Sequence, residues 1–243
     1  NHKMPNLRFF EFGNCYHYSP EKKNDEDPIK AYTEEMHLGM WLTGKRVEGS
    51  WAHADEQSSF YELKAYVMNI FTRLGVNPGI VVTESSDNNV FGKALALKAR
   101  SGKVLCEMGI VSHKLLKKMD IEQEVFYADI NWDNMMRAIK KNEVLYHDIC
   151  KFPSVSRDLA LLLDKNVQFE QIEQIARQTE KKLLKSVELF DVYEGKNLPE
   201  GKKSYAVNFI LQDETKTLND KQIDAIMQKL ISNLKNKLAA ELR

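Results

Sequence analysis

The sequence predicts an α+β protein that is built mainly from antiparallel strands and divided into two domains. Apolar residues alternate with a period of two in several short segments, which is typical of strands with one buried face. The few helical patterns do not alternate one-to-one with the strands, as they would in a parallel α/β fold. A new series of strands and helices begins after Pro153. Proline restricts Phe152 to an extended conformation, which favours a domain boundary there. We therefore expect one domain over residues 1–148 and a second over residues 149–243.

The first domain is expected to be a sheet whose first strand begins almost at the first residue. That residue is not Met, so we expect the domain to begin upstream of this sequence. A hairpin turn at Arg100-Ser101-Gly102 joins two of the later strands, whereas the charged segment Ser19 to Pro28 is predicted to be a loop. The predicted strands are the run with Leu7, Phe9, Phe10 and Phe12, then His37 to Thr43, Ile80 to Thr83, Ala94 to Lys98, Lys103 to Val111 and Glu124 to Ile130.

One helix of the first domain has a complete set of sequence signals. Ser59 and Glu62 have the spacing of a capping box, in which each side chain binds the other residue's backbone N–H. An apolar stripe from Leu63 to Leu74 follows, and Gly75 ends it. Shorter helices are expected after the N-cap Ser112 and from Asp133 to Lys140.

The second domain is predicted to have the element order βαββαβ, which is the ferredoxin-like arrangement. Asn219 and Gln222 form an Asn variant of the capping box at the start of its second helix. The expected elements are strand Ser156 to Leu163, helix Phe169 to Lys182, strands Ser186 to Tyr193 and Ser204 to Gln212, helix Asp220 to Leu238, and a last strand within Ala239 to Arg243.

Strand alternation assigns the side chains of this sheet to two faces. The large apolar residues of one parity are expected to lie under the helices: Tyr205, Val207, Phe209 and Leu211, with Phe190 and Val192 of the preceding strand. The open face would then present Asp191, Tyr193, Ser204 and Asn208. Lys202 and Lys203, with Lys196 close by, are placed to meet phosphates, which position a nucleic acid without reading its sequence.

This open face has two interpretations. An aromatic ring on an open sheet can stack an unpaired base, and a carboxylate accepts hydrogen bonds from the base edge. Alternatively, Tyr193 is a half-exposed strand aromatic and Asp191 a solvated charge. Alternation by itself favours the second interpretation.

Composition excludes some classes of protein without selecting a function. Lys and Arg number 35 and so do Asp and Glu, so the basic excess typical of nucleic-acid binding is missing. Three widely spaced cysteines predict neither a disulfide framework nor a zinc site, and we expect a cytoplasmic protein with no membrane contact. His53, Asp55 and Glu56 are interpreted as solvated loop charge, so no metal site is predicted.

The second domain resembles the anticodon-binding domain that closes bacterial phenylalanyl-tRNA synthetase beta chains. The similar motifs are Phe152-Pro-Ser-Val-Ser-Arg157-Asp-Leu-Ala160, Glu188-Leu-Phe-Asp-Val-Tyr-Glu-Gly195, Leu198-Pro-Glu-Gly-Lys-Lys-Ser204 and Thr217-Leu218. The resemblance implies that Asp191, Tyr193 and Ser204 contact anticodon bases, and it adds Arg157 to the candidate RNA-binding residues. With the resemblance, the base-binding interpretation of the open face becomes the favoured one.

The first domain resembles the class II synthetase-like domain that precedes this module in the same family. The similar segments are Phe10-Glu-Phe-Gly13, Ser59-Phe-Tyr-Glu-Leu-Lys64 and Gly109-Ile-Val-Ser-His113. An active class II core would need an arginine for ATP phosphates on a strand and a Gly-x-Gly-x-x-Arg strand. Arg8 lies near the first position and the second motif is missing from the sequence. We therefore expect a non-catalytic scaffold.

The resemblance implies a role for the whole chain in an α2β2 enzyme. A catalytic alpha chain would charge phenylalanine tRNA with ATP and Mg²⁺, while this chain would need no cofactor, bind the anticodon and not bind DNA. Two alternatives remain open. In the first, the first domain binds ATP and activates a substrate by itself. In the second, the open sheet is a protein-docking surface with only non-specific RNA affinity.

Overall fold

The computed structural model describes residues 4–24, 26–76, 81–86, 88–142, 146 and 148–243. The chain folds into two compact units, Asn1–Leu145 and Tyr146–Arg243. Both are α+β units with antiparallel sheets, as the sequence predicts. In the described ranges, no helix combines the length and the apolar character needed to span a membrane.

In the described part of the first unit, six antiparallel strands form one sheet in the order β1-β2-β8-β7-β6-β5. A separate short hairpin, β3–β4, was not expected from the sequence, because its strands have too few residues to show alternation. The strands are β1 Leu7–Tyr18, β2 Tyr32–Thr43, β3 Lys45–Val47, β4 Glu56–Gln57, β5 Val81–Ser86, β6 Phe91–Ala99, β7 Val104–Val111 and β8 Val125–Asn131.

The strand predictions for this unit place the elements correctly and miss some of their ends. β1 and β2 pair along their whole length, from Leu7 with Thr43 to Tyr18 with Tyr32, so both are longer than expected. The loop between them contains two short 3-10 turns, Pro20–Lys22 and Pro28–Ala31. Ile80, the expected start of one strand, lies outside the described residues.

The helices of the first unit cover one face of its sheet. α1 buries Leu63, Val67 and Phe71 against the strands, while α3 contributes Met135 to the same core. Burial of such apolar surface contributes roughly 25 cal/mol per Å² and is what holds the helices on the sheet. The helices are α1 Phe60–Arg73, α2 His113–Lys118 and α3 Trp132–Ile139.

The capping box predicted at α1 is only half formed. The Ser59 side chain accepts a hydrogen bond from the Glu62 backbone N–H, as expected. The Glu62 carboxylate does not return to Ser59. Its Oε1 accepts hydrogen bonds from Tyr66 Oη at 2.9 Å and from Arg8 Nε at 3.4 Å. A long-range ion pair has therefore replaced a local cap.

Within residues 148–243, four antiparallel strands form a sheet in the order β10-β11-β9-β12, and two helices cover one of its faces. The element order is the βαββαβ that the sequence predicts. The elements are β9 Val155–Asp164, α4 Phe169–Thr179, β10 Leu184–Tyr193, β11 Lys202–Leu211, α5 Asp220–Leu238 and β12 Glu241–Leu242.

The core of the second unit lies between the sheet and α4 with α5. Val207, Phe209 and Leu211 are fully buried there, as alternation predicts, and Leu230 and Leu234 of α5 pack in the same core. The reciprocal capping box of Asn219 and Gln222 is present.

Helix α4 ends three residues before the predicted end at Lys182. Glu180 adopts an extended conformation, and its carboxylate accepts hydrogen bonds from the backbone N–H groups of Lys182 and Leu183, both at 3.0 Å. Because this turn satisfies those two donors outside the helix, the chain leaves α4 at Glu180 and starts β10 at Leu184.

The prediction that Phe190 lies under the helices is wrong, because β10 contains a β-bulge. Leu189 pairs with Val207 and Asp191 pairs with Ala206, so Phe190 is an extra residue without a partner on β11. Its side chain is 60% exposed. A bulge reverses the alternation of the strand beyond it. It allows Val187 and Leu189 to point into the core while Asp191 and Tyr193 point to the open face.

Candidate functional site

The open face of the second sheet brings the predicted base-contacting residues together. Tyr193 of β10 pairs with Ser204 of β11. Asp191 pairs with Ala206, two residues away along each strand and on the same face. Directly paired residues of an antiparallel sheet share a face, so these side chains are neighbours. β9 continues the second of these rows with Ala160, which pairs with Ala206.

Tyr193 lies at the centre of this group and is positioned by two residues. A Cβ atom at Gly195 would collide with the Tyr193 hydroxyl and ring, so only glycine leaves room for the ring in this orientation. From the other edge, the Arg243 guanidinium lies 5.3 Å from the ring centroid, within the range of a cation–π contact. Arg243 is itself fixed by a backbone hydrogen bond to the Ala160 carbonyl at 3.0 Å.

Arg243 and Tyr193 come from opposite edges of the sheet and meet above the two strands between them. These strands carry Ala160, Leu162, Ser204 and Ala206 at this level. Ser204 is only 6% exposed although no helix covers this face. We attribute its burial to the two long side chains above it. We call this part of the open face the recess: Ala160, Leu162, Ser204 and Ala206 form its floor and the Tyr193 ring forms its wall.

Three polar groups in this recess lack a hydrogen-bond partner within the described residues, and the buried Ser204 becomes accessible only when the side chains above it move. Among the residues that the structure describes, none hydrogen-bonds to the Asp191 carboxylate, the Tyr193 hydroxyl or the Ser204 hydroxyl. Together they offer a carboxylate acceptor and two hydroxyls that both donate and accept. This combination suits the hydrogen-bonding edge of a planar heterocycle that stacks on Tyr193.

Asn208 lies on the same face, but its amide is already engaged. Its Nδ2 donates to Ser156 Oγ and to Asp158 Oδ1, both on β9. Near it, Ser186 Oγ donates to Glu188 at 3.2 Å. This half of the face therefore satisfies its own polar groups and holds two carboxylates, Asp158 and Glu188, that would repel a phosphate.

The two candidate lysines lie on different faces. Lys203 is buried on the helix side, where its amine donates to the Tyr205 hydroxyl at 2.7 Å and lies 4.4 Å from that ring centroid. Lys202 lies on the open face and forms an ion pair with Asp164 at 2.9 Å. Hydrogen bonding to Asp164 raises the pKa of Lys202. Lys202 can therefore approach a ligand near Ser204, whereas Lys203 cannot do so without leaving its pocket.

Arg157 does not join the recess. It pairs with Phe209, which faces the helices, and its Nη1 donates to the adjacent Ser156 carbonyl at 3.0 Å. The structure thus brings together Asp191, Tyr193 and Ser204, keeps Asn208 and Lys202 on the same face, and places Arg157 and Lys203 on the other.

Sequence reasoning missed Arg243, although a signal for it exists. In the last strand Leu242 pairs with Leu161, which faces the core, and Arg243 is one residue further. The alternation of Leu242 with its neighbours would have predicted that Glu241 and Arg243 face outward. The two-residue strand was too short to be used in that way.

Among the described residues of the first unit, the candidate for a phosphate contact that the sequence suggested is already engaged. Arg8, the one candidate for a phosphate contact there, is bound to Glu62 and donates from Nη2 to the carbonyls of Lys45 and Arg46 at 3.3 and 3.0 Å. In the described ranges, no group of three or more His, Cys, Asp or Glu side chains is arranged to hold a metal ion. The contacts of Arg8 leave its guanidinium committed to Glu62 and to the two backbone carbonyls.

Two family models match the chain. The model described as ferredoxin-fold anticodon binding domain matches residues 150–243. The model described as phenylalanyl tRNA synthetase beta chain CLM domain matches residues 1–132. The second match covers more than half of the chain.

Relatives with the same name align with the whole chain. The chain is 58% identical to the phenylalanine–tRNA ligase beta subunit of Bacteroides fragilis over 243 residues, which is 100% of this chain and 30% of that protein. The corresponding beta subunit of Bacteroides thetaiotaomicron is also 58% identical with the same coverage. That of Porphyromonas gingivalis is 50% identical over 241 residues, or 99% of this chain and 29% of that protein. The chain therefore spans about 30% of the length of these relatives.

Proposed function

The chain belongs to the family of phenylalanyl-tRNA synthetase beta chains, and from this premise we propose that its second unit binds the anticodon of phenylalanine tRNA. We assign this role to residues 149–243 and a non-catalytic scaffold role to residues 1–148. The observation that carries the proposal is the recess beneath Tyr193 and Arg243, with its unpaired carboxylate and hydroxyls.

Each residue of the recess has a distinct proposed role. Tyr193 stacks an unpaired anticodon base, Asp191 accepts hydrogen bonds from the N–H groups of that base, and Ser204 bonds either to a donor or to an acceptor. Arg243 holds the Tyr193 ring from one side and supplies a positive charge near the RNA backbone. Lys202, with the exposed Lys196 of the neighbouring loop, contacts phosphates.

The acidic residues of the open face restrict the orientation of the RNA. Asp158, Glu188 and Asp191 all lie on this face, so phosphates cannot lie flat against it. Bases rather than backbone must therefore face the sheet, which is the arrangement that single-stranded recognition requires. We assign the phosphate contacts to the end of the sheet nearest Lys202, and give Arg157 and Lys203 no direct contact.

In the complete protein we propose that this chain works with a catalytic alpha chain in an α2β2 enzyme of the cytoplasm. ATP and Mg²⁺ belong to the alpha chain in this proposal, because Arg8 of the first unit is held by Glu62 and by two backbone carbonyls. The first unit then contributes packing and orientation, and it takes no part in the chemical step.

Tyr193→Ala in the full-length beta chain, assembled with its alpha chain, tests the assignment. Because stacking contributes about 1–3 kcal/mol per base, the KM for phenylalanine tRNA in aminoacylation should rise about 5- to 150-fold. The rate of ATP–pyrophosphate exchange with phenylalanine should not change, since the tRNA plays no part in it. Tyr193→Phe is the control that keeps the aromatic ring, and it should raise the KM for phenylalanine tRNA much less. Unchanged tRNA kinetics in Tyr193→Ala would refute the assignment.

A second test separates specific recognition from non-specific affinity. The wild-type enzyme should lose affinity for a phenylalanine tRNA whose anticodon is replaced, and Asp191→Asn should reduce the difference between the two tRNAs. Equal binding of both tRNAs by the wild-type enzyme at moderate salt would instead favour a protein-docking role with non-specific RNA affinity.

A further inference from the structure

A cleft in the first unit, between α2 and strands β6 and β7, takes no part in the proposed function. Its volume is about 440 Å³, which lies within the range of roughly 300–1,000 Å³ that is typical of small-molecule sites. Its walls come from four separate segments. The lining residues that matter here are Lys93 of β6, Ile110 of β7, His113 and Leu116 of α2, and Glu122 and Glu124 of the segment before β8.

A β-bulge directs Lys93 to this cleft. Lys93 pairs with Ile110, and Phe91 pairs with the next residue of β7. Gly92, between them, is therefore an extra residue without a partner on β7. Phe91 lies on the face away from the helices, where its ring stacks on Tyr127. In a regular strand, residues two apart share a face, so Lys93 would lie on that face as well. The bulge instead places Lys93 beside Ile110 on the helix side of the sheet.

The backbone is fixed on both sides of the cleft. On the β6 side, a Cβ atom at Gly109 would lie 2.2 Å from the Lys93 carbonyl oxygen, so only glycine lets the bulge pack this closely on β7. On the other side, Ile121 N–H donates to a carbonyl of α2 at 3.0 Å, and the Glu124 carbonyl accepts a hydrogen bond from Thr43 Oγ1 at 2.7 Å. Little backbone has to become ordered when a ligand enters, which lowers the entropy cost of binding.

Side chains of opposite charge line this cleft without meeting each other. Lys93 belongs to β6, whereas Glu122 and Glu124 lie just before β8, and β7 separates these two strands. Adjacent strands are about 4.8 Å apart, so the backbones that carry the two signs of charge are separated by roughly 10 Å. Among the described residues, no ion pair or hydrogen bond engages any of these three side chains. The cleft is therefore complementary to a small ligand that carries both signs of charge.

The floor between these charges is apolar. Leu116 of α2 is buried, and Ile110 of β7 packs against the hydrophobic core of the first unit. An apolar group placed on this floor is removed from water, which is favourable in proportion to the area covered. A phosphate is not complementary here, because the two glutamates would repel it. A carboxylate, an ammonium group and an apolar side chain on one small molecule match the three parts of the cleft.

We propose that this cleft binds a free α-amino acid with an apolar side chain. The carboxylate of the amino acid accepts a hydrogen bond from the Lys93 amine, and its ammonium group donates to the carboxylates of Glu122 and Glu124. Its side chain packs on Ile110 and Leu116. All of these residues belong to the first unit, so this site is separate from the recess of the second sheet and does not depend on the proposed anticodon binding.

Calorimetric titration of the full-length beta chain with L-leucine and two truncated probes tests this site. L-leucinamide lacks the carboxylate, and N-acetyl-L-leucine lacks the ammonium group. L-leucine should bind with a Kd on the order of 1 mM or below. Each truncated probe should bind at least about tenfold more weakly, because a hydrogen bond between charged groups is lost.

Two variants assign the binding to this cleft. Lys93→Ala should weaken L-leucine binding at least about tenfold and should remove the preference for L-leucine over L-leucinamide. Glu122→Gln together with Glu124→Gln should remove the preference for L-leucine over N-acetyl-L-leucine. The three side chains are exposed and make no described contact that stabilises the fold, so thermal unfolding of the beta chain should not change.

Lys103→Ala is the matched control. It removes an exposed cation from the turn at the other end of β6 and β7, and it should bind L-leucine as the wild type does. Equal L-leucine binding by Lys93→Ala and the wild type would overturn the inference, and so would the absence of binding by the wild type. Binding of L-leucinamide or of N-acetyl-L-leucine as tightly as L-leucine would show a site for one charge only and would also overturn it.

Discussion

Each of the two sheets has a face turned away from its helices. The two faces differ in whether their aromatic and charged side chains have partners within the protein. On the first sheet, Trp41 stacks on Tyr127 at 5.0 Å between ring centroids, and Tyr127 stacks on Phe91 at 5.8 Å. Two carboxylates on that face also have partners: Asp129 binds His37 at 2.7 Å, and Glu107 accepts a hydrogen bond from Ser86 at 2.5 Å. Burial and the nearby Asp129 raise the pKa of Tyr127, so its hydroxyl stays protonated.

On the second sheet, the corresponding groups are left without partners. Within residues 148–243, Tyr193 has a cation–π contact but no aromatic neighbour, and neither Asp191 nor Ser204 has a hydrogen bond from its side chain. The comparison shows that exposure by itself does not mark a binding face. A face whose rings and carboxylates satisfy one another is a structural surface, while one with unpaired groups around a fixed ring is prepared for a ligand.

The largest effect on tRNA binding by the open face is expected from insertion of one alanine between Phe190 and Asp191. The inserted residue would take the place of Asp191 opposite Ala206, and Asp191 and Tyr193 would turn to the helix side, because a one-residue shift moves every later side chain to the other face. The KM for phenylalanine tRNA should rise by about 100-fold or more in the assembled enzyme, as stacking and hydrogen bonds are lost together. Aminoacylation kinetics measure this effect.

A matched variant separates the effect of the strand register from the effect of the Phe190 side chain. Phe190→Ser keeps the extra residue and removes an exposed ring, so its tRNA kinetics should remain close to wild type. Phenylalanine-dependent ATP–pyrophosphate exchange should be normal in both variants. Equal impairment by the insertion and by Phe190→Ser would mean that the Phe190 ring, and not the register of Asp191 and Tyr193, is what binding requires.

The bulge also shows how far the sequence could predict this structure. Alternation in β11 correctly predicts that Val207, Phe209 and Leu211 are buried, because that strand is regular along its length. In β10 the same rule assigns Phe190 to the core, since an inserted residue leaves no local signal in a short apolar run. Alternation with Val192 nevertheless predicts the faces of Asp191 and Tyr193 correctly, because all three residues follow the bulge.

Other features depend on contacts between distant residues and could not be predicted from local patterns. Glu62 has the spacing of a capping residue, but it binds Arg8, which lies 54 positions away. Lys203 is an exception, because alternation with Lys202 is a local signal that would have assigned it to the helix face, where its amine donates to Tyr205 two residues away. The helix caps and the βαββαβ order were predictable because their determinants are only a few residues apart.

A smaller effect on the recess is expected from Gly195→Ala. The new methyl group would collide with the Tyr193 hydroxyl and ring, so the ring must rotate away from Arg243 and from the floor of the recess. We expect the KM for phenylalanine tRNA to rise about tenfold, which corresponds to roughly 1.4 kcal/mol, with little change in thermal stability. A near-ultraviolet difference spectrum would report the displaced tyrosine.

Gly13→Ala is the matched control for this substitution. It lies in a strand, and a Cβ atom there would have no described neighbour within 4 Å. This variant should have wild-type tRNA kinetics. If Gly195→Ala also bound tRNA normally, the position of the Tyr193 ring would not matter for recognition.

The smallest effect on tRNA binding is expected from changes to the first sheet. Trp41→Ala is therefore the sharpest test of the difference between the open faces of the two sheets. Loss of the Trp41 ring removes its stacking on Tyr127 and part of a half-buried surface, so the free energy of unfolding should fall by about 2 kcal/mol. The KM for phenylalanine tRNA should stay within twofold of wild type, because Trp41 belongs to the first unit and makes no contact with the recess of the second sheet. Chemical denaturation of the beta chain and aminoacylation kinetics measure the two quantities separately. A variant that kept its stability but lost tRNA affinity would show that the first sheet also presents a ligand-binding face, and that paired rings and carboxylates do not distinguish a structural surface from a binding one.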